Sequence, residues 1–177
     1  MKNFLALSLF FVLLSSKLFA FDLDGGIIAY YPFNGNANDE SGNSNDGTVN
    51  GAVLTSDRFN NDNSAYYFDG ISSNIDIGQF GDLPEVTISA WINVEGYTGT
   101  FQSIVSSWED PYHVFTHFQV NTSGNIAIYT NTGYMLLPII APSPFDQWRH
   151  VVLSCKSGKT SVYLDGNLIG TRTKIFD

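Results

Sequence analysis

The sequence predicts an all-β sandwich or barrel, and the observations behind that are local. After residue 20 no segment repeats apolar residues at helical spacing; short β-prone runs recur instead, divided by Gly, Asn, Asp, Ser and Pro clusters. Aromatic residues make up 15% of the chain against 14% charged, and the abundant Tyr and Phe favour strands and recognition surfaces. At 177 residues and 44% hydrophobic content, one domain with a sizeable core is expected.

Residues 1–20 stand apart. Lys2 supplies a positive start, 4–14 is an apolar run of eleven residues, and Leu18-Phe19-Ala20 makes a cleavage site, which together read as a secretory signal peptide. The run is too short to span a bilayer as a stable helix. The expected division is therefore a signal at 1–20 and one domain at 21–177, placed in the secreted, periplasmic or cell-surface compartment, with no membrane insertion after cleavage. Without the leader, six basic residues face seventeen acidic ones, a net charge of −11. That opposes nucleic acid and anionic membranes, whose phosphates need Lys and Arg. The charge is uneven: 21–110 holds fourteen acidic residues and a single base, Arg58, whereas 111–177 holds three acidic and five basic. Cys155 is the only cysteine, so there is no disulfide framework, and its apolar run VVLSC marks it as a buried thiol.

Taken in order, the β-prone runs are 27–31, 65–68, 74–77, 86–94, 102–107, 113–120, 125–129, 148–154, 161–164 and 168–171. The first, IIAYY, ends at Pro32, which cannot donate to a ladder. The loop 34–47 that follows is almost wholly Asn, Asp, Ser and Gly, residues that cap their own turns. The run 86–94 is the best formed: Val86, Ile88, Ala90, Ile92 and Val94 alternate onto a core face, leaving Thr87, Ser89, Trp91 and Asn93 on the other. Trp91 thus falls among polar neighbours, where it covers a second layer or lines a groove. Asp165-Gly166 between YL and NL signals a tight hairpin. The stretch 133–144, with Pro138, Pro142 and Pro144, reads as a connection, and no internal repeat or linker is present.

Five phrases, YYPFNGNANDESGNSNDGT, AYYFDG, VTISAWINV, QWRHVVLS and VYLDGNLIG, occur in an order and spacing that resemble the laminin-G-like jelly-roll domains of bacterial secreted proteins. These belong to the concanavalin A-like lectin/glucanase superfamily, and the resemblance covers 25–170. It implies a two-sheet antiparallel jelly-roll sandwich, one sheet concave, with ligand sites on loops at the sheet edge. Domains of this kind continue for several strands beyond the Tyr-Leu-Asp-Gly hairpin, and the last closes against the first. The chain reaches only Asp177, so it is expected to lack its last strands, leaving 27–33 an unpartnered, aggregation-prone edge.

Catalytic chemistry finds little support. A glycosidase needs two carboxylates flanking the scissile bond. The E-x-D-x-x-E pattern of laminarinase-type members is absent, Glu85 and Glu95 bracket a strand at opposite ends, and adjacent Glu109 and Asp110 would face opposite ways. There is no G-x-S-x-G elbow, and neither Ser154 nor Cys155 has a recognisable partner. His113 and His117 lie four apart in a strand-like run, a span of about 13 Å, too far for one zinc. His150 is expected to be structural.

Two binding chemistries remain. The segment 39–47 (DESGNSNDG) offers calcium-type oxygen ligands, and the resemblance implies a structural calcium there, with Asp39 first and Asn43 and Asp46 after it. The alternative is an Asx-turn loop held by its own hydrogen bonds. Sugar binding would stack a pyranose on a loop aromatic: Trp108 and Tyr112 beside Glu109 and Asp110, or Tyr97 or Tyr134. Trp148 reads as packing. The Asn121-Thr122-Ser123 sequon carries little weight in a bacterial setting. The expected function is a secreted, non-catalytic recognition module for carbohydrate or a cell-surface glycan. Rivals are a glycan-active hydrolase or lyase of the same fold, and an adhesive domain that binds protein.

Overall fold

The computed structural model describes residues 26–80, 83, 85–96, 101–106, 117–121, 125–130, 133–137 and 147–173. Its strands, in chain order, are β1 (Thr48–Asn50), β2 (Val53–Thr55), β3 (Ala65–Tyr67), β4 (Asn74–Asp76), β5 (Val86–Asn93) and β6 (Gln102–Ser106). They continue with β7 (His117–Val120), β8 (Ile126–Thr130), β9 (Gly133–Leu137), β10 (Trp148–Lys156), β11 (Lys159–Leu164) and β12 (Asn167–Thr173). No helix occurs among the described residues. Two four-stranded antiparallel sheets, β12-β11-β10-β5 and β6-β7-β8-β9, are joined by the two-stranded pairs β1-β4 and β2-β3.

Parity along β5 and β10 decides what is inside. The register sets Ala90 opposite Val151 and Ile88 opposite Leu153, while Trp91 lies opposite His150 and Ser89 opposite Val152. Because side chains alternate between faces, one set points inward and the other outward. The inward set meets the second sheet: Val151, Leu153, Cys155, Val162 and Leu164 pack with Phe118, Ile126 and Ile128, flanked by Val86, Ile88, Ala90 and Ile92. Cys155 is the buried thiol the sequence implies; burial raises its pKa, partly offset by Thr160 Oγ1 at 3.7 Å. Two tight hairpins fix the β10-β11-β12 register. Ser157-Gly158 and Asp165-Gly166 each place both central residues at positive φ (49° and 74°; 47° and 79°), the geometry that matches strand twist. Glu85 caps the first of them, accepting from Ser157 N and Oγ.

The outcome differs from the sequence expectation in three places. The run 27–31 is not a strand. Its backbone is held instead by the loop that follows: Ile27 O and Ile28 O accept from Asn43 Nδ2, Ile28 O also from Asn45 Nδ2, and Tyr30 N donates to Asp39 Oδ1. Tyr30 O accepts from Glu40 N at 2.8 Å. Those backbone groups are therefore satisfied by Asx side chains and a turn, without a neighbouring strand. The connection 133–144 begins with a strand, β9, antiparallel to β8. The short strands β1 and β2 also appear where no run stood out.

The N-terminal part is thin in apolar burial, with only Ala37 and Ala65 fully inside among 26–80. Hydrogen bonds to carboxylates do the organising. Asp69 Oδ1 accepts from the N–H groups of Ile71, Ser72 and Ser73 and from Ser73 Oγ; Asp57 accepts from Phe59 N, Asn61 N and Asn61 Nδ2. Donors to Asp69, from Ser73 above all, hold its pKa well below the usual carboxylate range. At Asp57 desolvation pulls upward, and the Asn61 and Phe59 donors and the Arg58 charge outweigh it. Gly47 is required by close approach: a Cβ there would lie 2.7 Å from Ile75 Cγ2 and 3.0 Å from Ala37 O.

Two outcomes follow from this packing. Ile128→Ala opens a cavity in a fully buried site and is expected to lower unfolding free energy by about 2–5 kcal/mol in urea titration; a loss below about 0.5 kcal/mol would place Ile128 outside the core. Acid should loosen the N-terminal part. Asp57 and Asp69 have folded pKa values below the unfolded value of about 3.9, so their contribution is complete above it and fades as pH falls below it. The melting temperature should fall as the pH is lowered from about 4 towards about 2. Asp69→Asn should flatten that limb, and an unchanged slope in the variant would contradict the assignment.

Candidate functional site

Outward parity places a Trp on the open face of the β12-β11-β10-β5 sheet. Trp91 is 45% exposed, while its strand neighbours Ala90 and Ile92 turn into the core. Across the register, the His150 ring stacks on the indole, centroids 5.1 Å apart and planes 28° from parallel. Ser89, one step along the same face, holds His150 Nε2 at 2.8 Å. The backbone of His150 is fixed as well. Its N–H donates to Asp165 Oδ1, its carbonyl accepts from Asp165 N, and Asp165 Oδ2 pairs with Arg149 Nε. The QWRH and YLDGN phrases are thus two halves of one contact, which ties the β11-β12 turn to the start of β10.

The third side of this site comes from far away in sequence. The turn between β2 and β3 carries Arg58, whose guanidinium carbon lies 4.5 Å from the Trp91 ring centroid and 4.2 Å from that of Phe59. Arg58 and Phe59 are both exposed. A guanidinium on an indole face is an attractive electrostatic arrangement, strongest where water is partly excluded. The result is a surface of indole, imidazole and guanidinium: flat, aromatic and locally positive in an otherwise acidic half of the chain.

The loop singled out for calcium is assembled differently. Asp39, Asn43 and Asp46 do come together: Asp39 N donates to Asp46 Oδ1, and Asn43 N to Ser41 Oγ, which itself donates to Asp39 Oδ2. Yet both Asp39 oxygens already accept protein donors, Oδ1 from Tyr30 N and Ser41 N, Oδ2 from Ser41 Oγ and Asn45 N. Desolvation pushes its pKa up, and these donors more than reverse it, leaving the carboxyl well below its ordinary value. Asn43 turns its amide nitrogen to the Ile27 and Ile28 carbonyls. As arranged, the Asp39 oxygens accept from protein donors, which is the Asx-turn arrangement the sequence also allowed. Among the described residues no three His, Cys, Asp or Glu side chains are grouped to hold a metal ion. The Tyr31 hydroxyl donates to Asn45 O at 2.6 Å, and its pKa is raised by burial first and then by the Asp39 and Asp46 charges. Beside this loop runs an open polar groove of about 340 Å³, lined by Asn45, Asp46, Thr48, Asp76 and Gln79 among others. Its Asp76 is occupied in a local turn, accepting from Gly78 N.

Of the loop aromatics proposed for sugar, Trp108, Tyr112 and Tyr97 lie outside the described residues, as do Glu109, Asp110 and His113. Tyr134 sits in β9 opposite Tyr129, in a strand and not in a loop. His150, expected to be structural, stacks on Trp91 and meets Ser89 Oγ through Nε2. Arg58 was visible in the sequence only as the lone base among fourteen acidic residues in 21–110, with nothing to connect it to Trp91.

Comparison with known proteins agrees with this architecture. A laminin G family model, described as the concanavalin A-like lectin/glucanases superfamily, matches residues 69–176. No curated protein matches the chain. Among solved structures, domain 4 of AbnA, a GH43 extracellular arabinanase from Geobacillus stearothermophilus, solved in complex with arabinotriose, is similar with a TM-score of 0.57 and 21% identity, covering 84% of this chain and 76% of that one. A candidate carbohydrate-binding protein from Bacteroides ovatus ATCC 8483 matches with a TM-score of 0.42 and 18% identity over 51% of this chain, which spans about a quarter (26%) of that protein. The antiparallel strands of the described residues, the two facing sheets and the family match over more than half of the chain lead to one conclusion: the chain belongs to the concanavalin A-like lectin/glucanase superfamily, through a laminin-G-like jelly-roll domain.

Proposed function

We propose that this chain is a secreted, non-catalytic carbohydrate-recognition module that binds glycan on the exposed Trp91 face. The observation that carries the reading is the Trp91–His150 stack on the outward side of this sheet, where Trp91 stays 45% exposed while the alternate residues of its strand pack against the core. A pyranose ring presents one apolar face and a rim of hydroxyls, and such a surface with a few polar groups at its margin suits both. The similar AbnA domain, solved with arabinotriose, adds support at the level of fold.

Hydrolysis fits the molecule less well. A glycosidase of this fold would carry its carboxylate pair on strands facing the cleft. The eight strands of the two large sheets contain no Asp or Glu at all. A second reading, adhesion to a protein, draws on the exposed apolar side chains of the N-terminal part, such as Ile71 at 88%, Phe59 and Val53.

Titration calorimetry against an oligosaccharide series, with calcium and with chelator, tests the proposal. Trp91→Ala should weaken binding by at least about tenfold, equivalent to about 1.4 kcal/mol, with the fold intact by circular dichroism. Binding should be the same with chelator present, because no calcium shell is needed to form this surface. Glycan binding that survives Trp91→Ala unchanged would overturn the site, and silence towards every glycan would favour the protein-adhesion reading.

A further inference from the structure

Resting on the carbohydrate reading above, we propose that the Trp91 site selects acidic sugars, with Arg58 receiving the carboxylate of a uronic acid residue while the sugar ring lies against the aromatic surface. The argument begins with what Arg58 lacks. Among the described residues it forms no ion pair, although it sits in the most acidic part of the chain. The carboxylate beside it, Asp57, has both oxygens spent on its own turn, accepting from Phe59 N, Asn61 N and Asn61 Nδ2. Arg149, the other arginine near the site, is already neutralised by Asp165. His150 has Nε2 engaged by Ser89. Arg58 is therefore the base with hydrogen-bonding capacity to spare.

Its placement gives that capacity a direction. The Arg58 guanidinium carbon lies over both the Trp91 and the Phe59 rings, which hold the head group at the margin of the aromatic surface, and a guanidinium carries five N–H donors. A planar fork positioned by two aromatic rings loses little rotamer freedom when it binds, and it matches a carboxylate in bidentate fashion. The sheet beneath adds no repulsion, since β5, β10, β11 and β12 contain no acidic residue. A neutral arabinan fragment would use only the stacking surface. A uronate would use that surface and the fork together, so specificity arises at one residue that the register alone would not place in the site.

The test compares three ligands on the purified chain by calorimetry: a trigalacturonate, its methyl ester, and neutral arabinotriose. Wild type should bind the free acid at least about tenfold more tightly than the ester, and in Arg58→Gln that ratio should fall close to one. Equal affinity for acid and ester in wild type would overturn the proposal. A ratio that persists in Arg58→Gln while the melting temperature falls would also overturn it, and would assign Arg58 to clamping the β2-β3 turn on Trp91. The two levels of the argument fail separately. Trp91-dependent binding of arabinotriose without any acid preference removes only the selectivity; binding of all three ligands that ignores Trp91→Ala removes the site itself.

Discussion

The register between β5 and β10 is the constraint on which the rest of this structure depends. Setting Ala90 against Val151 and Ile88 against Leu153 commits one face of both strands to the core. By the same alternation it commits Trp91 and His150 to the other face, side by side. A slip of one residue would set Trp91 on the same face as Val151 and Leu153, so that either the indole would be buried or those two, fully buried here, would be exposed. Stability and the candidate site are thus settled by one pairing. The Asp165 contacts to His150 and Arg149 lock its open end, and the Glu85 contacts to Ser157 lock the other.

The two parts of the chain use different physics. The sheets that face each other are held by apolar burial, and their strands carry no acidic residue. The segment 26–80 buries little and is held by carboxylates whose lone pairs are filled by backbone N–H groups at Asp39, Asp57 and Asp69. This explains an acidic composition without invoking a cation. Among the described residues Arg58 forms no ion pair. The carboxylates around it are occupied in turns, and stacking on Trp91 and Phe59 becomes its main contact with the protein. Its attraction to the neighbouring Asp57 carboxylate is weak at the surface, and its guanidinium fork can still donate to a ligand.

Much of the fold was legible because its strongest signals are local. The alternation of VTISAWIN needs only eight residues to declare both faces, and it predicted the core side of β5 and the outward turn of Trp91. Asp165-Gly166 declared its hairpin for the same reason, since the backbone angles it needs are a property of two residues. The failures share a cause too. IIAYY has strand composition, but the partners that satisfy its backbone are the side chains of Asn43, Asn45 and Asp39, which no propensity reports. β1 and β2 are three residues each, too short for a period to show, and the sequence of β9 runs up to Pro138 in a stretch that reads as a loop. The site was half legible. Trp91 stood out among polar neighbours, whereas its contact with Arg58 joins residues 33 positions apart on different sheets, and only folding reveals such a pairing.

The central claim is that the Trp91 face is where this domain meets glycan. Its most direct test is a ¹H–¹⁵N titration that follows the indole N–H of Trp91 as an oligosaccharide is added, with the indole of Trp148 as the internal reference. Binding at the proposed face predicts a saturable shift of the Trp91 resonance and of the backbone amides of Ser89 and His150, with Trp148 little moved. Saturable binding that shifts other resonances and leaves Trp91, Ser89 and His150 in place would contradict the account.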